Sequence, residues 1–294
     1  MSYKKCYAER LNYNTYKIHL WEDKGYQLLE WKNQVYKECD EYDSTHTGLN
    51  GEPLKKVMKW NREDPKLHFH DVTAYQKFLI EKYGIDDTPS TTHKECFFDI
   101  EIEMGDALTP EYIRSAPKKV TSIAWYDLQI DMWYVIILDT KNQLKHYHAK
   151  NKEIIPVESE KELLAKFLER LRTGEFWNTD QPIEIAGVQS LDYMRMHRKY
   201  SWEDEPSWKL DALGAKYANL NKIEYEGSLD KLFEEDIFKF IQYNFRDVEI
   251  LVKWDEKSQY LALTKNLAHK GKINYSDVYA SSKIHDGAIS AYVS

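Results

Sequence analysis

Apolar and polar residues alternate along Tyr16-Lys17-Ile18-His19-Leu20-Trp21, and this period of two predicts a strand with one buried face. From Asp71 to about Tyr83 the period lengthens, and Val72, Tyr75, Phe78 and Leu79 fall on one side of a helix. Asp43 to Gly51 is rich in Asp, Ser, Thr, Gly and Asn and reads as a loop. The polar stretch Gly84 to Thr92, with Pro89 inside it, reads as a domain boundary. Three strands are then predicted at Cys96–Ile102, Lys119–Tyr126 and Met132–Leu138, the last running into a turn at Asp139 to Asn142. Leu163, Leu164, Phe167 and Leu171 give Ser159–Leu171 a helical period. A short strand is expected at Ile183–Val188, and helices at Asp192–Lys199, at Ser207–Tyr217 and from Asp236 to about Leu263. Strands followed by helices predict a mixed α/β domain over residues 96–262, behind a mixed, β-rich domain over residues 1–95.

The 294 residues and 35.0 kDa suit one large domain or two modest ones, with enough chain to bury a proper core. Hydrophobic residues at 42% and charged residues at 31% place the chain among soluble globular proteins. No stretch approaches the length of apolar chain that spans a membrane, and the start, Met-Ser-Tyr-Lys-Lys-Cys, has no apolar signal core. The three cysteines, Cys6, Cys39 and Cys96, are widely spaced, which fits a reducing cytoplasm. A formal charge of -8 argues against a protein whose main task is neutralising duplex phosphates. It does not argue against a site built from carboxylates, where bound metal restores positive charge. The 22 tyrosines and 9 tryptophans suit stacking on bases, and equally suit ordinary half-buried packing.

Two pairs of residues carry candidate chemistry. Asp99 and Glu101 stand two apart on a predicted strand, so both point to one face. Paired carboxylates among Phe97, Phe98, Ile100 and Ile102 either hold a divalent ion such as Mg or Mn, or line a strand face in water. Tyr243 and Asp247 stand four apart on a predicted helix and share a side of it. They either serve the same centre or are a surface pair.

Taken in order, Asp-x-Glu on an early strand and Tyr-x-x-x-Asp on a late helix resemble the first and third motifs of the DnaQ-like 3′→5′ exonucleases. Further segments are similar to the exonuclease region of family B DNA polymerases of the T-even-like phage type. They are Lys119 to Asp127, Ser190-Leu191-Asp192-Tyr193-Met194, Pro206 to Asp211 and Ile223 to Gly227. The resemblance covers most of residues 96–294 and extends more weakly over 1–95. It implies a ribonuclease H-like exonuclease domain at 96–262, and a segment at 263–294 that returns to the N-terminal domain. It also implies two divalent metal ions, Mg or Mn, held by Asp99, Glu101 and Asp247, with Tyr243 orienting a water. The implied substrate is a single-stranded 3′ end of DNA, cut for proofreading during replication in the host cytoplasm. The implied partners are a separate polymerase chain and a sliding clamp, with no membrane.

The likeness is interrupted near residues 172–183, where the family's second exonuclease motif belongs. Asn178 and Asp180 are what remains of it, so Asp180 is either a fourth metal acid or part of a polar turn before Pro182. Neither Asp-x-x-Ser-Leu-Tyr-Pro-Ser nor Tyr-Gly-Asp-Thr-Asp, the polymerase motifs, occurs. A second reading therefore stands beside the exonuclease: a catalytically impaired scaffold that binds DNA or a polymerase chain.

Lesser candidates are the pairs His68/His70 and His146/His148, read as exposed strand histidines or metal ligands. Trp125, Trp133, Trp177, Trp202 and Trp208 are read as core or as stacking platforms. Glu203-Asp204-Glu205 and Glu234-Glu235-Asp236 read as solvated faces or helix starts. Lys118-Lys119 and Arg195 to Arg198 are the local basic clusters that a DNA backbone would meet.

Overall fold

The computed structural model describes every residue except 1, 49, 62, 69–71, 105–117, 172–175, 178–183, 186 and 294. The chain opens with three strands, β1 (Tyr3–Arg10), β2 (Thr15–Glu22) and β3 (Gly25–Lys32), paired antiparallel in that order. A second sheet is built from β4 (Val35–Glu38), β5 (His46–Thr47), β6 (Pro53–Val57) and β7 (Leu67–His68), in the order β5-β6-β4-β7. Helix α1 (Ala74–Tyr83) follows and ends at Gly84, whose φ of 52° suits a residue without a Cβ.

Next come β8 (Cys96–Ile102), β9 (Val120–Asp127), β10 (Met132–Leu138), β11 (Tyr147–Ala149) and β12 (Lys152–Val157). They form one mixed sheet in the order β11-β12-β10-β9-β8, with β10 and β12 parallel and the other pairs antiparallel. Helix α2 (Glu160–Leu171) packs on one face, where Leu163 and Phe167 join Ile123, Trp125, Tyr134, Ile136 and Ile155. Trp125 stacks on Tyr134 at 4.6 Å between centroids, and Phe167 meets the edge of Trp125 at 5.8 Å. Short strands β13 (Phe176–Trp177) and β14 (Glu184–Ile185) pair with each other.

The remaining helices are α3 (Tyr193–Tyr200), α4 (Leu210–Leu213), α5 (Leu229–Glu235), α6 (Ile237–Ser258), α7 (Tyr260–Gly271) and α8 (Ser281–Val293). Helix α4 continues into a π-turn at Gly214–Ala218. The Asp236 side chain caps α6 by accepting from the Lys239 N–H. The single helix expected from Asp236 to Leu263 is two helices, because Gln259 takes a left-handed φ of 53° between them.

The chain divides into two compact units. The first gathers Met1–His93, Trp177–Tyr200 and Tyr260–Ser294, and the second gathers Lys94–Phe176 and Ser201–Gln259. In the first, Tyr3, Ile18, Leu20, Phe78 and Leu79 form a core beneath the three-stranded sheet. The Tyr3 hydroxyl donates to the carbonyls of Ala268 and Ile273, and Asn274 exchanges two hydrogen bonds with the Cys6 backbone. These bonds satisfy buried polar groups and bind the last segment to the first strand. The second unit is mixed α/β, with helices on both faces of the five-stranded sheet.

Candidate active site

Strand β8 sets Asp99 opposite Ala124 and Glu101 opposite Ser122 on β9, while Phe98 and Ile100 point to the face covered by α2. The pleat therefore separates the two acids from the apolar core next to them. Helix α6 lies on the acid side of the sheet. Its Phe245 meets the edge of Trp133 on β10 at 6.3 Å, and its Asn244 accepts a short hydrogen bond from Ser122 on β9. Asn244 also donates to the Phe240 carbonyl at 2.7 Å, so its amide is fixed at both ends.

This docking turns Tyr243 and Asp247 toward β8. Asp99, Glu101 and Asp247 each offer a carboxylate oxygen within 4.8 Å of the others, and among the described residues they are the group with metal-holding geometry. Asp247 is fully buried, and its Oδ1 has no hydrogen-bond partner among the described residues. A buried acceptor without a donor is costly, and a hard divalent cation with oxygen ligands would satisfy it. The donor set fits Mg or Mn.

One member of the cluster was not singled out by the sequence pattern. Lys222 reaches in from the chain after the π-turn, its Nζ 2.5 Å from Asp247 Oδ2 and 2.7 Å from the Tyr243 hydroxyl. The local fold explains how it gets there. A Cβ on Gly214 would stand 2.8 Å from Ile250 Cγ2, so only glycine lets the π-turn lie this close to α6. Asn219, at φ 55°, then reverses the chain. The Lys222 N–H donates to Asp211 Oδ1 at 2.8 Å, and Arg246 holds the Asn221 carbonyl at 3.3 Å. Beside Lys222 lies a cavity of about 470 Å³ lined by Asp211 and Asn221 to Tyr225. The signal available in the sequence was electrostatic: three converging acids require a cation, and Lys222 is the one lysine between Tyr217 and Lys231.

The carboxyls are harder to ionise than usual. Burial, then the charge of Asp247, pushes Asp99 up to about 6 against the pull of Lys222. Burial, then the charges of Asp99 and Asp247, pushes Glu101 up to about 8. Burial also raises Asp247, although Lys222 opposes it. Burial works to discharge Lys222, but Asp247 and Tyr243 outweigh it and hold the ammonium firmly protonated. Acids kept reluctant by desolvation and by one another are what a cation site looks like before its cation is counted.

The other candidates fall elsewhere. Asn178 and Asp180 lie outside the described residues, as do Phe69 and His70. His146 and His148 turn to Glu153, at 3.0 and 3.8 Å, and Arg170 binds the same carboxylate at 3.0 Å. His68 pairs with Glu38 at 3.3 Å. Trp125 is core, whereas Trp202 is fully exposed. Glu205 is not on a solvated face, because its side chain is buried and bound by Lys216 and Tyr217. Arg195 lies over the Tyr279 ring at 4.1 Å. Among the described residues no helix is long and apolar enough to cross a membrane.

The DNA-directed DNA polymerase of Escherichia phage RB69 is 26% identical to this chain over 214 residues, which is 71% of the chain and 22% of that polymerase. The DNA-directed DNA polymerase of Enterobacteria phage T4 is 29% identical over 105 residues, 36% of the chain and 12% of that polymerase. The chain thus spans about a fifth of the length of the first of these relatives and less of the second. No protein-family model matches it. These similarities bear out the resemblance read from the motifs: over most of its length the chain is similar to a DNA polymerase of the T-even phage type.

Proposed function

We propose that the chain is a metal-dependent 3′→5′ DNA exonuclease of ribonuclease H-like fold, acting in proofreading beside a phage-type DNA polymerase. The observation that carries this reading is the meeting of Asp99 and Glu101 from β8 with Tyr243 and Asp247 from α6. The mixed five-stranded sheet with helices on both faces supports the fold assignment. In this reading residues 1–95 and 263–294 belong to the polymerase-type N-terminal domain, and the substrate is a single-stranded 3′ end in the host cytoplasm. A polymerase chain and a sliding clamp are its partners.

Asp99, Glu101 and Asp247 would hold two Mg or Mn ions, with Asp180 the candidate for a further ligand. Bound there, the ions supply Lewis acidity toward the phosphodiester and a water acidic enough to attack. The protein's own groups do the placing. Asn244 and Ser122 fix α6 on the sheet, so the acids of both elements keep their spacing. The Tyr243 hydroxyl accepts from Lys222 and lies beside Asp247, so it stands at the cluster where a water or a phosphate oxygen would be oriented.

A second reading is favoured by the same cluster: among the described residues three acids form it, and Lys222 already neutralises one. In that reading the chain is a scaffold that binds DNA or a polymerase chain without cutting. A 5′-labelled single-stranded oligonucleotide incubated with Mg or Mn separates the two. Stepwise shortening from the 3′ end is expected, and loss of about a hundred- to a thousandfold in Asp99→Ala, as for removal of a main electrostatic element of a site. No shortening above that variant's background, from folded protein, would leave the scaffold as the better account.

A further inference from the structure

The Lys222 ammonium and a divalent cation have the same use for Asp247. Nζ lies 2.5 Å from Asp247 Oδ2, within the group of three carboxylates whose oxygens converge within 4.8 Å. The other oxygen of Asp247 is buried and unpartnered among the described residues, so the lysine neutralises the carboxylate without filling the cluster. A cation on Oδ1 would stand close to the ammonium on Oδ2, and in a buried site the two charges repel strongly enough to compete for this carboxylate. The lysine has somewhere to go. Its side chain is 29% exposed, and it borders the cavity of about 470 Å³ lined also by Asp211 and Glu224. Its backbone is anchored on Asp211 at 2.8 Å, so the flexible four-carbon stem can swing while the backbone stays in place.

We infer that Lys222 is a built-in counter-cation: it holds Asp247 while the cluster has no metal, and it swings into the neighbouring cavity when a divalent ion binds. This rests on the metal reading above. Lys222 is thus a positioning residue that sets how tightly the cluster takes its metal, separately from any part it plays once metal is bound. With the lysine in place, metal binding must break a charged hydrogen bond. Such bonds contribute about 1.5–3 kcal/mol, or about ten- to a hundredfold in affinity.

The test is calorimetric titration of the full chain with Mn, comparing the wild type with Lys222→Met and Lys222→Arg. Lys222→Met, which keeps the stem and removes the charge, is expected to bind Mn about ten- to a hundredfold more tightly, whereas Lys222→Arg keeps the competition. A purely structural lysine would give the reverse, with weaker binding in the Met variant. A measurement on the wild type covers the case in which three uncompensated acids keep Lys222→Met from folding. Acetylation of Lys222 by an amine-reactive ester, read by mass spectrometry, should accelerate several-fold on saturation with Mn and return to its slow rate in chelator. Equal or weaker Mn affinity in a folded Lys222→Met, or labelling that does not change with Mn, overturns the inference while leaving the metal site itself standing. Absence of Mn binding in every variant, and in the wild type, would instead remove the metal reading and this inference with it.

Discussion

Glu101 shows how a single side chain ties the site to the stability of the molecule. Burial and the charges of Asp99 and Asp247 push its carboxyl up to about 8, well above the ordinary value of 4.5. The folded chain therefore keeps this proton over a range where the unfolded chain has lost it. Stability must then fall as pH rises from the unfolded value toward 8, because ionising Glu101 in the folded state is the costly event. With chelator present, the wild type is expected to melt lower at about pH 9 than at about pH 6, and Glu101→Gln to flatten that slope by a few degrees. Saturating Mg should restore the alkaline loss in the wild type and do little for the variant. A pH dependence of melting unaltered by Glu101→Gln would contradict this electrostatic picture. At the same scale, Asp99, Glu101, Tyr243 and Asp247 were legible because strand and helix periods say which neighbours share a face. Lys222 was not, since a π-turn and a left-handed Asn219 bring it to Asp247 from 25 residues away. Such chain reversals leave no period to read.

At the scale of elements, the site depends on how firmly α6 lies on the sheet. Much of the contact is apolar, but one fully buried polar tie fixes the register. Asn244, on the helix, accepts from Ser122 on β9 and donates to its own helix at Phe240. Asn244→Ala removes the acceptor and leaves the Ser122 hydroxyl buried and unsatisfied, at a cost of about 1–3 kcal/mol. The helix would be less well held one turn from Asp247, so Mn affinity should fall as well. Denaturant unfolding and Mn titration of the variant check both effects. Unchanged unfolding would show that the tie contributes nothing, and weaker Mn binding without loss of stability would point to a direct role for Asn244. Most elements were legible from periodicity: Met132–Leu138 and Cys96–Ile102 are strands as expected. Strand β12 was not among the expected elements, and it carries Pro156, a residue rare inside strands. Proline is tolerated there because β11 pairs only with Lys152 to Ile154, so beyond that point β12 has β10 on one side and no ladder bond to β11 on the other. Likewise, the apolar period runs through Gln259 without a break, and a left-handed residue rather than any change of pattern ends α6.

At the scale of the whole molecule, the first unit is assembled from three stretches far apart in sequence, and such an assembly depends on a few close approaches. One is the crossing of α7 and α8. A Cβ on Gly287 of α8 would land on the Gly271 carbonyl of α7 and on the amide of Gln76, which is itself buried on α1. That amide donates to the carbonyls of Gly271 at 2.9 Å and Lys283 at 2.8 Å, so a single side chain closes the ends of both later helices onto the first. Neither neighbour can yield easily: one is backbone, and the other is held by two bonds. Gly287→Ala should therefore overpack the crossing and cost about 1–3 kcal/mol or more, although alanine has the higher helix propensity. In an exposed helix the same change would stabilise, so the sign of the effect is diagnostic. Hydrogen exchange resolved along the chain provides the readout. Faster exchange is expected in α1, α7 and α8, because the Gln76 bonds that join them would be lost together. A neutral or stabilising Gly287→Ala, with protection unchanged in those helices, would mean that they are not held at this crossing. The joining of the last segment to the first strand would then rest on other contacts, among them the Tyr3 and Asn274 bonds.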